Sequence, residues 1–267
     1  MSAAPARVAI AGVSGRMGRA LARLCQQTPG VSLVAATARP GRELPPLPTG
    51  IRIAERLADV LAGVDVAIDF TAAELAAEHA RACAEAGVGL VLGTTGLDAP
   101  ARAALEAASA RVPIVAAPNF SVGIYVLARL AAEATAALGS DFDAEVLELH
   151  HRMKRDAPSG TALRLAEAVT GARGVGPEVY RTTRDGLIGA RPPGEVGLQT
   201  LRGGDVVGEH TVYFFGEGER LELTHRATSR DTFASGAVRA ARWLVGQPAG
   251  LHGLGAVLGL PAGAGRG

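Results

Sequence analysis

Lysine is almost missing from this chain. Of its 27 basic residues only Lys154 is a lysine, and the others are arginine. Aromatic residues are scarce at 4%, which leaves few flat side chains on which nucleic-acid bases could stack. No charge of one sign dominates. The 27 basic residues face 26 acidic ones, and a formal net charge of +1 gives no overall pull toward nucleic acid or an anionic membrane. There are only two cysteines, Cys25 and Cys83, in separate segments of helical pattern. That argues against a disulfide framework and fits a reducing compartment. No apolar run reaches the roughly 18 residues of a membrane span. The N-terminal MSAAPARVAIAG has no basic region followed by a long apolar stretch, so no signal peptide is expected. These absences predict a soluble cytoplasmic protein with neither a nucleic-acid nor a membrane partner.

What is present is apolar substance in a regular order. With 267 residues and 48% hydrophobic content, the chain can bury one or two cores. Short Val/Ile/Leu runs occur in RVAIAG (7–12), VSLVAAT (31–37), VDVAIDF (64–70), VGLVLG (88–93) and VPIVAA (112–117). Helical patterns separate most of these runs. Continuous apolar strands alternating with amphipathic helices predict a parallel sheet covered on both faces. After about Asn119 the texture changes. SVGIYVLARLAAEATAAL reads as a long helix and DAEVLELHH as an alternating strand. VGLQTLRGG, EHTVYFFG and ERLELTHRAT have no clear helices between them. The fold class is therefore α/β: a doubly wound, Rossmann-type parallel sheet followed by an α+β domain with a mixed sheet. A last helix, TFASGAVRAARWLVG, follows.

Directly after the first strand, AGVSGRMGRAL spaces Gly12, Gly15 and Gly18 into a helix start. A backbone that turns tightly there can approach a pyrophosphate and offer helix N-terminal N–H groups to it. A glycine-rich turn with no ligand would look similar, but its place after the first strand of an alternating pattern favours a dinucleotide. At the end of the second strand, where sites for NAD place a carboxylate on the ribose, this chain has Ala38 and then Arg39. A guanidinium suits a 2′-phosphate, so NADPH is expected in preference to NADH. GTTG at 93–96 and APNF at 117–120 follow later strands, and ligands of doubly wound sheets collect at such carboxyl ends.

The second domain carries HHRMKRDAPSGTAL at 150–163. His150 and His151 end a strand. Pro158, Ser159 and Thr161 surround a helix start whose N–H groups at Gly160 and Thr161 can receive a carboxylate. Arg152, Lys154 and Arg155 make the region locally cationic. A solvated basic turn would accept arginine as well as lysine. A compact ammonium that points at one atom, or gives up a proton, is not replaced by a guanidinium. Neither H-E-x-x-H nor a cysteine ligand pair is present, so no metal is expected.

GVSGRMG, GTTG, APNFSVG, HHRMKRDAPSGTAL and GGDVVGEHTVYF, taken in this order, resemble the 4-hydroxy-tetrahydrodipicolinate reductase family over nearly the whole chain. The resemblance implies NAD(P)H-dependent reduction of dihydrodipicolinate, derived from 4-hydroxy-tetrahydrodipicolinate, to tetrahydrodipicolinate in lysine and diaminopimelate biosynthesis. It implies a dinucleotide-binding domain over 1–121, completed by 234–267, and a substrate and oligomerisation domain over 122–233 in a homotetramer. It places the cofactor, NADPH or alternatively NADH, on Gly12, Val13, Ser14, Gly15, Arg16 and Met17, and on Arg39. Gly93, Thr94 and Thr95, with Ala117, Pro118, Asn119 and Phe120, complete that site. His150 and Lys154 are implied as the catalytic pair, and His151, Gly160 and Thr161 as contacts to a small dicarboxylate ring. Three departures stand out, the first being a short loop from Pro40 to Gly50 beside the expected adenosine pocket. Ala38 replaces an acidic residue that lets family members use NADH, and Met153 replaces a third histidine. A different two-domain dehydrogenase would need a different second-domain motif. A non-enzymatic NADPH sensor would have no use for His150 and Lys154.

Overall fold

The computed structural model describes residues 4–229 and 231–260. In chain order the regular elements are β1 (Ala6–Ala11), α1 (Arg16–Gln27), β2 (Val31–Thr37), β3 (Arg52–Ala54), β4 (Val66–Asp69), α2 (Ala73–Ala86), β5 (Gly89–Leu92), α3 (Ala99–Ser109), β6 (Pro113–Ala116), α4 (Val122–Leu138), β7 (Asp143–His150), α5 (Gly160–Arg173), β8 (Tyr180–Arg181), β9 (Val196–Arg202), β10 (Gly208–Gly216), β11 (Glu219–Ala227), α6 (Asp231–Leu244), β12 (Gly250–His252) and α7 (Leu254–Val257). The chain divides into two compact units, one of residues 1–121 with 230–262, the other centred on residues 122–229.

The first unit is built on a seven-stranded sheet in the order β12-β6-β5-β4-β1-β2-β3, with every neighbouring pair parallel. Strands β4 and β5 are buried along their whole length, as expected of strands covered on both faces. The edge strands β3 and β12 have only three residues each, too short to announce themselves as apolar runs. Strand order reverses between β1 and β4, and the loops after these strands mark the crevice where such sheets bind ligands. Gly12 turns the chain there with φ +70°, and a Cβ at Gly18 would lie 2.2 Å from the Gly12 carbonyl. The spacing of the loop is thus a steric requirement. Cys25 and Cys83 are free and fully buried, and burial pushes both thiols up to about 12. They are unreactive at neutral pH.

The second unit holds a five-stranded mixed sheet in the order β11-β10-β7-β9-β8. β10 pairs antiparallel with both β7 and β11, while β9 runs parallel to β7 and β8. Alternation along β7 turns Ala144 and Val146 into a core shared with Leu165 and Val169 of α5 and Ile124 and Leu127 of α4. The helical run Val122–Asp141 is, by length and composition, long and apolar enough to cross a membrane. This corrects the expectation that no run reaches that size. Within the second unit its Ile124, Leu127, Ala131 and Thr135 face is buried.

In the first unit α6 lies so close to the chain after β6 that a Cβ on Gly236 would stand 1.8 Å from the Phe120 carbonyl. Alanine normally improves a helix interior by about 1 kcal/mol over glycine. Here the overlap must dominate, and Gly236→Ala is expected to destabilise the first unit by a net ~1–3 kcal/mol. Urea unfolding followed by circular dichroism measures this, and an unchanged or raised midpoint would contradict the packing described.

Candidate active site

In the first unit the expected cofactor residues gather at the carboxyl ends of the parallel strands. Residues 12–17 follow β1, Arg39 is exposed just after β2, residues 93–95 follow β5, and residues 117–120 follow β6. They do not all present side chains. Val13 and Phe120 are fully buried, so they shape the turns they stand in and offer no exposed side chain to a ligand. The Gly12 and Val13 N–H groups donate to Thr37, at 2.9 Å to its Oγ1 and 2.9 Å to its carbonyl. Gly12, Val13 and Gly15 shape the turn. Arg16 and Met17, in the first turn of α1, bring N–H groups without intrahelical partners. A glycine cradle that side chains would fill, opening onto a helix N-terminus, fits a dinucleotide pyrophosphate.

Asp69, at the end of β4, was not among the expected residues. It is fully buried and accepts bonds from the Thr71 N–H at 2.7 Å and the Thr71 hydroxyl at 2.6 Å. His79 Nδ1 of α2 lies 2.7 Å from its second oxygen. Thr71 is thereby set against the glycine loop, where a Cβ on Gly12 would come 2.9 Å from its methyl group. The signal was present in VDVAIDF, where a carboxylate ends an otherwise apolar strand.

In the second unit His150 ends β7, His151 follows it, and Lys154 lies in the turn after that. His151 donates its N–H to the Val206 carbonyl at 2.8 Å, and Lys154 donates its N–H to the His151 carbonyl at 3.1 Å. Gly160 and Thr161 open α5, where the Ser159 hydroxyl caps the Ala162 N–H at 3.1 Å. The Ala157–Pro158 peptide is cis. The Lys154 ammonium sits 2.9 Å from both oxygens of Asp156. Partial burial opposes ionisation of Asp156, but Lys154 and Arg202 outweigh it and hold the carboxyl below its ordinary range.

The centre of this region is Glu148, two residues before His150 on the buried face of β7 and fully inaccessible. It accepts from His150 Nδ1, from the Ser159 N–H at 2.9 Å, from the Thr200 hydroxyl at 3.2 Å, and from both terminal nitrogens of Arg202 at 3.0 and 2.8 Å. Burial alone would raise its pKa, but His150, Arg202 and the Ser159 N–H bring it down to about 2. His210 of β10 packs edge-on against His150 with ring centroids 5.1 Å apart, and its Nε2 lies 3.3 Å from the Ser159 hydroxyl. Burial, reinforced by the charge of His150, lowers the His210 pKa to about 3. Glu148, His150 and His210 bring ligand-type atoms within 4.8 Å of one another. Both Glu148 oxygens are already committed to N–H donors, and Arg202 supplies the countercharge a cation would bring. The sequence reading missed Glu148, Arg202 and His210, although the alternation of DAEVLELH places an acid on the inward face beside His150.

The family description "Dihydrodipicolinate reductase, N-terminus" matches residues 6–120, and "Dihydrodipicolinate reductase, C-terminus" matches residues 123–258. The chain belongs to the dihydrodipicolinate reductase family. A 4-hydroxy-tetrahydrodipicolinate reductase of Myxococcus xanthus (strain DK1622) is 55% identical over 265 residues, covering 95% of this chain and 97% of its own. One of Anaeromyxobacter sp. (strain Fw109-5) is 52% identical over 263 residues, with coverage of 95% and 97%. The dipicolinate-bound dihydrodipicolinate reductase of Paenisporosarcina sp. TG-14 superposes with a TM-score of 0.77 at 26% identity, covering 93% of this chain and 97% of that one. In this dihydrodipicolinate reductase family member the glycine cradle lies in the N-terminal matched part, and the histidine and lysine turn in the C-terminal one.

The low pKa of His210 links protonation to stability. Its folded pKa lies below its ordinary 6.5, so its contribution to stability is complete above about 6.5 and is lost as pH falls toward 3. Glu148 adds a second loss between about 4.5 and 2. Urea midpoints measured from pH 7.5 to 4 are expected to decline, and His210→Gln is expected to flatten the decline between pH 6.5 and 5. An equally steep decline in the variant would remove His210 as its source.

Proposed function

We propose that His150 is the proton donor and Lys154 its cationic partner in this chain's reaction. That reaction is the NAD(P)H-dependent reduction of dihydrodipicolinate, from 4-hydroxy-tetrahydrodipicolinate, to tetrahydrodipicolinate. The observation that carries the assignment is that His150 and the capped start of α5 share the buried Glu148 network at the end of β7, while Lys154 lies in the turn that follows, paired with Asp156, whose carbonyl Arg202 ties to the same carboxylate. The bound nicotinamide supplies the hydride that adds at ring carbon 4 of the conjugated C=C–C=N system, and it is left as NAD(P)⁺. The protein's task is the other half of the reduction. As the electron pair moves toward the ring nitrogen, the developing charge needs a proton and a nearby cation. His150 gives the proton and regains one from solvent, so the ring gains one hydride and one proton. Lys154, held in the resting structure by the exposed Asp156, exchanges that carboxylate for one of the substrate. His151 and the N–H groups of Gly160 and Thr161 receive the ring's carboxylates.

The cofactor rests on the Gly12–Met17 turn, Gly93, Thr94 and Thr95, and residues 117–120. Arg39, with no carboxylate at Ala38 beside it, favours NADPH over NADH. A homotetramer assembles on the sheet of the second unit, and the protein works in the cytoplasm. The outer strand β11, with Leu221 exposed on it and Phe215 exposed on neighbouring β10, supports that assembly.

Coupled assays that generate the substrate from aspartate semialdehyde and pyruvate, read at 340 nm, test the roles. Lys154→Arg and His150→Asn are each expected to lose on the order of 10²–10⁴ in kcat. Full activity of Lys154→Arg would make the lone lysine incidental. Arg39→Glu is expected to lower kcat/KM for NADPH much more than for NADH. Equal losses with both cofactors would refute the 2′-phosphate contact.

A further inference from the structure

We propose that Glu148 is a positioning residue that dictates which ring nitrogen of His150 faces the substrate. The inference rests on the reading of His150 as proton donor. An ionised carboxylate only accepts hydrogen bonds. Because Glu148 stays ionised and its Oε2 faces His150 Nδ1, the Nδ1 position must carry a proton in both charge states of the ring. The exchangeable proton is then the one on Nε2. That nitrogen points toward Gly208 of β10, where an added Cβ would stand 3.0 Å from it. The glycine keeps the space beside Nε2 clear of side chain. When His150 hands its Nε2 proton to the reduced ring, it becomes the neutral imidazole with Nδ1–H still bonded to Glu148, and a solvent proton restores it.

Glu148 does not move in this cycle, because its surroundings leave it no alternative. Oε1 takes the Ser159 N–H, the Thr200 hydroxyl and one Arg202 nitrogen; Oε2 takes the other Arg202 nitrogen and His150. Arg202 also donates to the Asp156 carbonyl at 2.7 Å, tying the same carboxylate to the turn that carries Lys154. An amide at position 148 would have to keep its oxygen at the three-donor side. Its NH₂ would then face Nδ1, make Nδ1 an acceptor and move the proton of the neutral ring to Nε2. The imidazolium would gain an N–H to N–H conflict. A carboxylate-to-amide change behind an active-site imidazole acts through this tautomer reversal.

The test uses the full-length protein labelled with ¹⁵N-histidine, with the His150 ring signals identified by their loss in His150→Asn. At a pH high enough that the His150 ring signals no longer change, the wild type is expected to show a protonated Nδ1 and a bare Nε2. Glu148→Gln is expected to show the reverse and to lose on the order of 10²–10³ in kcat with less than tenfold change in KM. A purely structural role would move KM and the melting temperature and leave the tautomer as it was. A wild-type His150 with its proton on Nε2 overturns the proposal even if Glu148→Gln does not fold. Inactive His150→Asn beside fully active Glu148→Gln overturns the positioning role alone. Fully active His150→Asn overturns the proton-donor reading and this inference with it.

Discussion

A single buried carboxylate organises the second unit. Glu148 occupies a place on β7 where alternation calls for an apolar side chain, next to Val146 and across from α5. An isolated charge there would cost several kcal/mol. The cost is offset because five donors from three directions converge on it, two of them from one planar guanidinium. The same bonds hold the end of β7, the start of α5 and β9 in one register. With His150 as the proposed proton donor, stability and chemistry share one set of contacts, and a change to Glu148 or Arg202 is expected to act on both.

The first unit repeats the device on a different fold. Asp69 ends a fully buried strand, pairs with a histidine from the following helix and uses its other oxygen to hold a threonine against the glycine loop. In each unit a carboxylate at a strand's carboxyl end converts sheet rigidity into side-chain placement. Loops at such ends carry the binding groups, and a rigid anchor beneath them keeps those groups near the required geometry.

The sequence carried much of this openly. Runs such as RVAIAG and VGLVLG mark strands of the parallel sheet because burial on both faces removes polar residues. The glycine spacing marks the first loop because Gly18 has no room for a side chain. His150 and Lys154 stand out through residue type alone. What stayed hidden depends on long-range pairing. Three-residue edge strands such as β3 and β12 take their identity from neighbours far along the chain. Arg202 meets Glu148 across 54 residues of sequence, and His210 meets Ser159 across 51. No local pattern announces which of 26 arginines will find a given acid. Val13 and Phe120 illustrate the converse: their position in a loop suggested exposure, while their apolar side chains take them into the core.

The first unit is finished by α6 and β12, which arrive after the whole of the second unit has been made. Ribosomes deliver the chain at about 5–20 residues per second, and domains usually fold in the order they emerge. Here that order is inverted. The central insert can complete its sheet first, while β6 waits with a bare edge and the chain near Phe120 waits for Gly236. During synthesis the nucleotide-binding half stays an open sheet until α6 and β12 arrive, so the part of the protein that begins first closes last.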